Sequence, residues 1–236
     1  MLLGARQGNP GSLQTELIHR QVTDGRDGFC WLQLPQKDAR GGMQGIQINN
    51  LLAQEASAIT YNWDTDTLFV VGDGGTSIVQ IDKQGNLINT MTLAQGSSPQ
   101  GTEFYDTEGL TYIGNGQFVM TEERDRNAVL FTYQAGTTLT RANAQTAHLG
   151  TNVGNIGLEG LSYDPQTGGF IFAKEKGPEG IFQTTIDFAN DIASNGSATT
   201  VNSTDLFNPA GLNLVDIADI YAMSNIASTV GVDEQG

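Results

Sequence analysis

The sequence predicts an all-β protein, specifically a β-propeller of the six-bladed type, and three observations support this. A five-residue phrase recurs as Ser57-Ala-Ile-Thr-Tyr61, Glu108-Gly-Leu-Thr-Tyr112 and Glu159-Gly-Leu-Ser-Tyr163, and consecutive copies begin 51 residues apart. Short apolar runs separated by turn residues follow each copy, and no 12-residue stretch keeps a helical period. A repeat of about 50 residues that holds four strands is typical of one propeller blade.

The first unit contains the clearest strands. The phrase at 57–61 is followed by an apolar run at 68–71 and, after the glycine-rich break at 72–75, by an alternating run at 78–81. A turn signal at 83–86 then precedes a fourth strand at 87–93. This unit therefore predicts a complete four-stranded blade.

The later units repeat the pattern with decreasing clarity. Apolar runs lie at 118–120 and 129–131, then at 170–172 and 181–182, and a decayed fourth phrase, Asp219-Ile-Tyr-Ala-Met223, begins 60 residues after the third. The predicted blades are 51–100, 101–150, 151–210 and a partial blade at 211–236. About three and a half blades are therefore expected, whereas closure needs at least four.

Residues 1–50 do not match the repeat. They are predicted to be a lead-in segment that either supplies a closing strand at 29–34 or is partly disordered. The short blade count suggests a fragment of a longer polypeptide, or closure by pairing with another copy. An open propeller would expose strand edges and apolar blade faces, so self-association is also expected.

The composition is acidic, with 26 acidic against 11 basic residues and a net charge of −15. This charge argues against nucleic-acid and anionic-lipid partners and favours a metal cation or a small ligand. The single cysteine, Cys30, cannot form an internal disulfide. No signal peptide is seen, and no apolar run approaches the length of a membrane span.

The repeat predicts where acidic side chains converge, because the first strand of each blade lines the central channel of a propeller. The first position of the phrase is occupied by Ser57, Glu108, Glu159 and Asp219. The ends of the second strands carry Asp73, Glu122 and Lys174, followed by Gly74, Glu123 and Glu175. Carboxylates that meet at one channel mouth repel each other unless a cation compensates.

Calcium is the predicted cofactor, because it binds six to eight oxygen ligands from carboxylates, carbonyls and water. The predicted metal ligands are Glu108, Glu159, Asp219, Glu122 and Glu175. The predicted ligand-binding residues are Asp73, Glu123, Arg124, Lys174 and Ser57. Zinc is disfavoured, since the two histidines, His19 and His148, form no ligand-spaced cluster.

Other interpretations of these residues remain open. Glu108 and Glu159 could hydrogen-bond backbone amides of the next blade and thereby hold the repeat together. The charged loops at 122–124 and 174–176 could form exposed ion pairs of little energetic value. The recurring Tyr61, Tyr112 and Tyr163 are predicted to pack in the core with bonded hydroxyls.

The ordered set of motifs resembles the SdiA-regulated, YjiK/CarP-like family of β-propellers. The resemblance covers about residues 53–226 and rests on the recurring phrases together with Thr121-Glu-Glu-Arg124 and Phe172-Ala-Lys-Glu-Lys176. It implies a six-bladed propeller of the bacterial envelope that is linked to calcium and related to phytase-like propellers. Possible membrane association, and a cell-envelope or extracellular location, are implied by this resemblance only.

Three functions therefore enter as hypotheses. The first is a calcium-associated binding module that holds a ligand or partner at its acidic channel face. The second is a calcium-dependent, phytase-like phosphoester hydrolase, in which a metal cluster would bind phosphate and activate water. The third is a structural repeat segment of a larger surface protein. The chain has no nucleophile-elbow motif and no phosphate-cradling loop, so whether it is an enzyme stays open.

Overall fold

The computed structural model describes residues 36–37, 43–44, 52–150, 154–155, 157–176, 179–194 and 217–222. These residues form antiparallel sheets that follow the predicted repeat, and no α-helix occurs among them. The predicted strand at 29–34 lies outside the described residues. A short hairpin pairs β1 (Gln36–Lys37) with β2 (Met43–Gln44).

Each of the next three sheets is one propeller blade, in which consecutive strands are neighbours. Blade 1 consists of β3 (Ala56–Asn62), β4 (Thr67–Gly72), β5 (Ser77–Ile81) and β6 (Leu87–Leu93). Blade 2 consists of β7 (Thr107–Gly114), β8 (Gln117–Glu122), β9 (Asn127–Thr132) and β11 (Gln145–His148). Blade 3 consists of β12 (Leu158–Asp164), β13 (Gly169–Lys174), β14 (Gly180–Asp187) and β15 (Ile192–Ser194).

One short strand crosses between units. The strand β10 (Thr138–Leu139) comes from the second repeat but pairs in parallel with β6 at the outer edge of blade 1. A single 3₁₀ turn, Arg141–Asn143, follows it and is capped by Thr140. This pairing of β10 with β6 links the second repeat to the first through backbone hydrogen bonds.

The apolar core lies between the blades, because alternate side chains point to opposite faces of each sheet. One core cluster joins blades 1 and 2, and its largest side chains are Phe69, Phe104, Tyr112, Phe118 and Phe131. A second cluster joins blades 2 and 3 around Leu158, Leu161, Phe170, Phe172 and Phe182. The stacking of sheets face to face around an axis confirms the all-β propeller prediction.

A hydrogen bond of the same kind links each phrase to the next. The backbone N–H of Tyr112 donates to the Thr60 hydroxyl at 3.2 Å, and that of Tyr163 donates to the Thr111 hydroxyl at 3.0 Å. The N–H of Ala222 donates to the Ser162 hydroxyl at 2.9 Å. The fourth phrase therefore lies beside β12, as the first strand of a further blade would.

Candidate functional site

The first residue of each phrase lies on a β-bulge at the start of the inner strand. Strand pairing skips Ser57 in blade 1 and Glu159 in blade 3, and it skips Glu108 together with Gly109 in blade 2. A bulged residue leaves the ladder, so its side chain is aimed differently from those of its neighbours. The phrase thus delivers one polar or acidic side chain per blade to the end of the sheet where the second strand finishes.

The residue that follows the second strand is acidic in all three blades. These residues are Asp73, Glu123 and Glu175. In each blade its backbone N–H donates to a carbonyl two residues before the phrase, with N···O distances of 3.3, 2.8 and 3.3 Å. The accepting carbonyls belong to Glu55, Asp106 and Gly157. The three carboxylates are therefore structurally equivalent.

This equivalence corrects the alignment made from the sequence, which matched Asp73 with Glu122 and Lys174. The structure places Asp73 with the residues that follow those two. The bulges are not the cause, because each adds one net residue to its inner strand. The strand β4 ends at Gly72, so Asp73 lies one position beyond the strand, as Glu123 and Glu175 do.

Two clusters of three carboxylates result. In the first, Asp73 of blade 1 meets Asp106 and Glu108 of blade 2, and one oxygen from each lies within 4.8 Å of the others. Asp106 is only 2% exposed and has a left-handed backbone with a φ of 59°. We name this cluster triad 1. It combines the carboxylate after the second strand of one blade with the phrase carboxylate of the next.

The second cluster repeats that plan one blade further on. Glu123 of blade 2 meets Glu159 and Glu175 of blade 3, again with one oxygen from each within 4.8 Å of the others. We name this cluster triad 2. A carboxyl–carboxyl hydrogen bond between Asp106 and Glu123 connects the two triads. Five residues predicted from the sequence, Asp73, Glu108, Glu123, Glu159 and Glu175, therefore belong to two adjoining clusters.

Two oxygens of the triads are buried and have no hydrogen-bond partner among the described residues. They are Oδ1 of Asp73 and Oε2 of Glu175. Glu175 is 8% exposed, so water does not readily compensate. A buried acceptor that lacks a donor costs about 1–3 kcal/mol of stability, and more when the group is charged. A cation placed within triad 2 would remove that cost.

The electrostatic environment raises the pKa of three of these carboxyls. Burial, followed by the charge of Glu159, raises the pKa of Glu108 to about 9. Burial and a hydrogen bond with Glu55 raise the pKa of Asp73 to about 7. Burial also raises the pKa of Glu123 to about 7, although the N–H of Gly157 opposes this shift. At neutral pH the array thus binds protons when no cation is bound.

Glu122 lies outside both triads and is bonded within the protein, and metal ligation by it stays a prediction. Its side chain is fully buried, and its two oxygens accept from the guanidinium of Arg141 at 2.6 and 2.8 Å. They also accept from the N–H of Tyr105 at 2.8 Å and from Nδ2 of Asn127 at 2.9 Å. With both oxygens bonded inside the protein, Glu122 holds the β6–β7 loop against the 3₁₀ turn.

The predicted basic residues line the rim of the triads, and each contacts a partner there. Nε of Arg124 donates to Asp106, and its guanidinium lies 5.5 Å from the centroid of the Tyr105 ring. Nζ of Lys174 donates to the backbone carbonyl of Lys176, whose own ammonium group pairs with Glu175. Local ion pairs thus reduce the negative charge at the edge of each triad.

Ser57 and Asp219 lie outside both triads. The Ser57 hydroxyl contacts the Glu55 carbonyl at 2.9 Å and also hydrogen-bonds Glu108. The bond from Ala222 to Ser162 aligns Ala222 with Tyr163, which shifts Asp219 to the register of a phrase glycine. Burial raises the pKa of Asp219. Metal ligation by Asp219 stays a prediction.

The sequence reasoning missed Asp106, although a signal for it exists. An acidic residue stands two positions before the phrase in the first two units, as Glu55 and Asp106, whereas the third unit has Gly157. The backbone carbonyl of each of the three also accepts a hydrogen bond from the residue that follows the second strand. Asp106 lies two residues before the phrase, so a prediction based on the phrase alone does not include it.

The tyrosine prediction holds in part. Tyr112 is 1% exposed, and its hydroxyl donates to Asp64 and accepts from the N–H of Gly116. Tyr61 is 39% exposed, although its hydroxyl contacts Asp66 at 2.5 Å. Tyr163 is half-buried and lies against Phe170. Burial therefore increases where a preceding blade covers the tyrosine.

The donor set of the triads fits a hard cation. Ca²⁺ binds oxygen at 2.3–2.6 Å, so two of its ligands lie up to about 5 Å apart, and the three oxygens of each triad are close enough together to bind one such ion. All donors are carboxylates, and no histidine or cysteine belongs to either triad. His148 instead pairs with Asp191 at 2.7 Å between blades 2 and 3. Zinc is not the ion that this set would select.

No helix in the described part of the chain has the length and apolarity needed to span a bilayer.

Three solved structures with similarity to this chain come from bacteria. Virginiamycin B lyase of Staphylococcus aureus with quinupristin is 15% identical, with 63% of this chain and 47% of that chain covered and a TM-score of 0.39. An auxiliary nutrient binding protein of Bacteroides ovatus is 17% identical, with 70% and 33% covered and a TM-score of 0.37. Hydrazine synthase of Kuenenia stuttgartiensis is 12% identical, with 66% and 52% covered and a TM-score of 0.35. The chain spans about half the length of the lyase chain that it matches.

The sequence profile of the SdiA-regulated family matches residues 37–225, which is most of the chain. The match includes all three complete phrases, both triads and the fourth phrase. The protein therefore belongs to the SdiA-regulated family.

Proposed function

We propose that this protein is a calcium-associated β-propeller binding module of the bacterial envelope, which holds a ligand or partner at its acidic channel face. The observation that carries the proposal is the pair of adjoining carboxylate triads. Each triad offers three oxygens within the span of one Ca²⁺ coordination sphere. The buried, unpartnered oxygen of Glu175 adds a specific reason for triad 2 to accept a cation.

The local charge balance also supports a cation. Six carboxylates form the two triads, and Arg124 and Lys176 form ion pairs with Asp106 and Glu175 among them. Repulsion among the remaining charges is relieved by protonation when no cation is present and by Ca²⁺ when it binds. Calcium ions held at the channel mouth would keep open coordination positions for an oxygen-bearing ligand or partner.

A calcium titration monitored by thermal melting tests the proposal. A ligand that binds only the folded state stabilises it by RT ln(1 + [L]/Kd), which is about 2.7 kcal/mol at 100 times the Kd. We expect the melting temperature of the parent protein to rise with calcium concentration. Glu108→Gln should weaken the rise by disrupting triad 1, and Glu159→Gln should do so through triad 2.

Glu179→Gln serves as the matched control, since Glu179 belongs to neither triad. This variant should respond to calcium as the parent does. A parent protein whose melting temperature does not change up to millimolar calcium would refute calcium binding. An equal rise in all variants would instead locate the cation outside the triads.

The hydrolase hypothesis has less support. Phosphate recognition normally adds basic side chains beside the metal. Arg124, Lys174 and Lys176 are basic residues near the triads, and each already bonds to another group of the protein. Turnover of a phosphoester panel in calcium, abolished by Glu108→Gln, would reverse this preference. A structural segment of a larger surface protein would show neither calcium binding nor turnover.

A further inference from the structure

We propose that a cavity beside the β6–β7 loop binds a neutral polyhydroxylated ligand of mono- or disaccharide size. The cavity measures about 600 Å³ and opens to solvent between the β6–β7 loop and the 3₁₀ turn. Its polar lining includes Gln95, Ser98, Glu103, Tyr105, Asp125 and Arg141. None of the triad carboxylates lines it, so the proposal does not depend on calcium binding.

The cavity has a rigid floor. Arg141 forms two hydrogen bonds with the buried Glu122, one with the Thr146 hydroxyl at 3.3 Å and one with the carbonyl of Glu103 at 2.7 Å. Its guanidinium also lies 4.4 Å from the centroid of the Phe104 ring. These contacts join the loop, the 3₁₀ turn and β8, so the cavity is formed without a ligand.

The walls are fixed by further hydrogen bonds. The backbone N–H of Arg141 donates to Oε2 of Glu103 at 2.5 Å, and the N–H of Thr102 donates to Oγ of Ser98 at 3.1 Å. The N–H of Glu103 donates to the carbonyl of Ala94, which closes the base of the loop. A ligand would therefore enter a largely preformed site, as small-molecule sites usually are.

The chemistry of the lining limits the class of ligand. Carboxylates accept hydrogen bonds only, whereas hydroxyl and amide groups such as those of Tyr105, Ser98 and Gln95 can also donate. An anionic ligand would meet the carboxylates of Glu103 and Asp125. An ammonium ligand would donate to these carboxylates, but it offers no acceptor to the hydroxyl and amide donors of the lining. A sugar hydroxyl both donates and accepts, so a polyol uses both kinds of group.

Beyond the Arg141–Glu122 pair, Glu103 and Asp125 give the lining an excess of carboxylate acceptors, which suits the hydroxyl donors of a polyol. The charge of Arg141 is matched by that of Glu122, and large aliphatic side chains are absent from the described lining. The ring of Tyr105 offers the one aromatic surface for the apolar face of a sugar. A lipid or another apolar ligand would find little surface to bury.

Saturation-transfer NMR with glucose, galactose, maltose and cellobiose tests the inference, first with EDTA and then with calcium. We expect at least one of these sugars to bind in both conditions, with a Kd of about 0.1–10 mM, which is the range of a few hydrogen bonds in an open site. Ser97→Trp places a large ring at the cavity mouth and should weaken binding at least tenfold. Glu103→Gln and Asp125→Asn should each weaken binding several-fold.

Thr132→Trp is the control for the tryptophan substitution, because Thr132 is exposed on β9 and does not line the cavity. Its sugar binding should match that of the parent. Melting curves confirm that each variant is folded. Absence of binding by all four sugars, or undiminished binding by Ser97→Trp, would overturn the proposal.

Two further probes distinguish other ligand classes. Spermidine represents organic cations, and inorganic phosphate represents anions. Neither should displace a bound sugar or respond to Ser97→Trp. If spermidine or phosphate binds with sensitivity to Ser97→Trp while the sugars do not bind, the cavity belongs to that ligand class and the polyol assignment is wrong. Because the sugar test is run with EDTA, its failure is distinct from failure of the calcium proposal.

Discussion

At the scale of single residues, the adjacent Glu122 and Glu123 have different roles because they differ in their partners. Glu122 is bonded through both oxygens to Arg141, Tyr105 and Asn127. Glu123 accepts from the N–H of Gly157 at 2.9 Å and otherwise lies among carboxylates. One side chain therefore supports the loop, and its neighbour belongs to the proposed cation site.

The ion pair between Glu122 and Arg141 should make a measurable contribution to stability. Arg141→Met would leave a fully buried carboxylate without its guanidinium. Loss of one partner of a buried pair costs about 3–5 kcal/mol, and we expect about 3 kcal/mol here because Arg141 is about one-third exposed. Urea unfolding measures the difference. Lys83→Met breaks the exposed Lys83–Asp66 pair and should change stability little; equal losses in both variants would contradict the assigned role.

Glu108→Gln should alter the pH dependence of stability. The pKa of Glu108 in the folded protein is about 9, against an ordinary value of 4.5, so the folded state binds more protons between those pH values. Stability should therefore fall as the pH rises through this window in EDTA. Glutamine resembles the protonated carboxyl, so the variant should melt higher than the parent at pH 8 and equally at pH 4.

Calcium should reverse that order at pH 8, because the parent then gains a ligand that the variant binds poorly. Thermal melting from pH 4 to pH 9, with EDTA or with calcium, measures both effects. Glu179→Gln should follow the parent throughout. A variant that is no more stable than the parent at pH 8 in EDTA would show that Glu108 is not held protonated.

The sequence predicted many of these residues but not their grouping. The repeat predicted the first residue of each phrase and the acidic residues at the ends of the second strands. The partner of Glu122 was not predicted, since Arg141 is 19 residues away and belongs to no phrase. Asp106 was missed because it precedes the repeated phrase, and its proximity to Asp73 is seen only when blades 1 and 2 are placed side by side.

At the scale of elements, close approach between blades explains several glycines. A Cβ on Gly157 would lie 2.1 Å from the carbonyl oxygen of Glu123 in the preceding blade, which is a backbone atom that cannot rotate away. A Cβ on Gly160 would similarly lie 2.7 Å from the Cα of Asp219 in the fourth phrase. Gly157 thus allows the loop before β12 to pack against the loop that carries Glu123.

Gly157→Ala should destabilise the contact between blades 2 and 3. Overpacking of this kind typically costs about 1–3 kcal/mol, and the displaced backbone of Glu123 should also weaken calcium binding. Gly74→Ala is the control, because its nearest neighbours are flexible side-chain atoms at 3.3 Å or more. Urea unfolding and calcium titration of both variants provide the comparison. Equal stability of the two would show that the loops can separate at little cost.

The sequence predicted the elements better than the details of their pairing. The strands predicted at 68–71, 78–81 and 87–93 appear as β4, β5 and β6, because their apolar runs are bounded by strong turn signals. The strand β10 was not predicted: it has two residues, and its partner β6 lies about 45 residues earlier in the chain. The fourth phrase was misaligned by one residue because it has lost the tyrosine that marks the others.

At the scale of the whole molecule, blade 1 carries an exposed apolar stripe. Ile59, Tyr61 and Trp63 occupy alternate positions along and just beyond β3, and they are 40%, 39% and 50% exposed. The equivalent residues of blade 2, Leu110 and Tyr112, are covered by blade 1 and are at most 3% exposed. The stripe therefore corresponds to a surface that blades normally use to pack together.

We expect the stripe to promote self-association of this chain. Sedimentation velocity over a hundredfold range of protein concentration should show reversible oligomers, because large apolar patches on soluble proteins tend to associate. Ile59→Lys should suppress them. Ile192→Lys, which changes a more exposed isoleucine on blade 3, should not. A parent protein that stays monomeric across the range would show that the stripe is not an association surface.

The hydrogen bonds between successive phrases define a repeating segment that could be duplicated or deleted. Thr60, Thr111 and Ser162 each accept from the amide of the following phrase. A segment that runs from one phrase to the next therefore carries one acceptor and one donor, and its two ends are compatible with each other. Duplication or deletion of such a segment leaves every remaining bond of this series intact, so the protein can gain or lose a blade in a single genetic step.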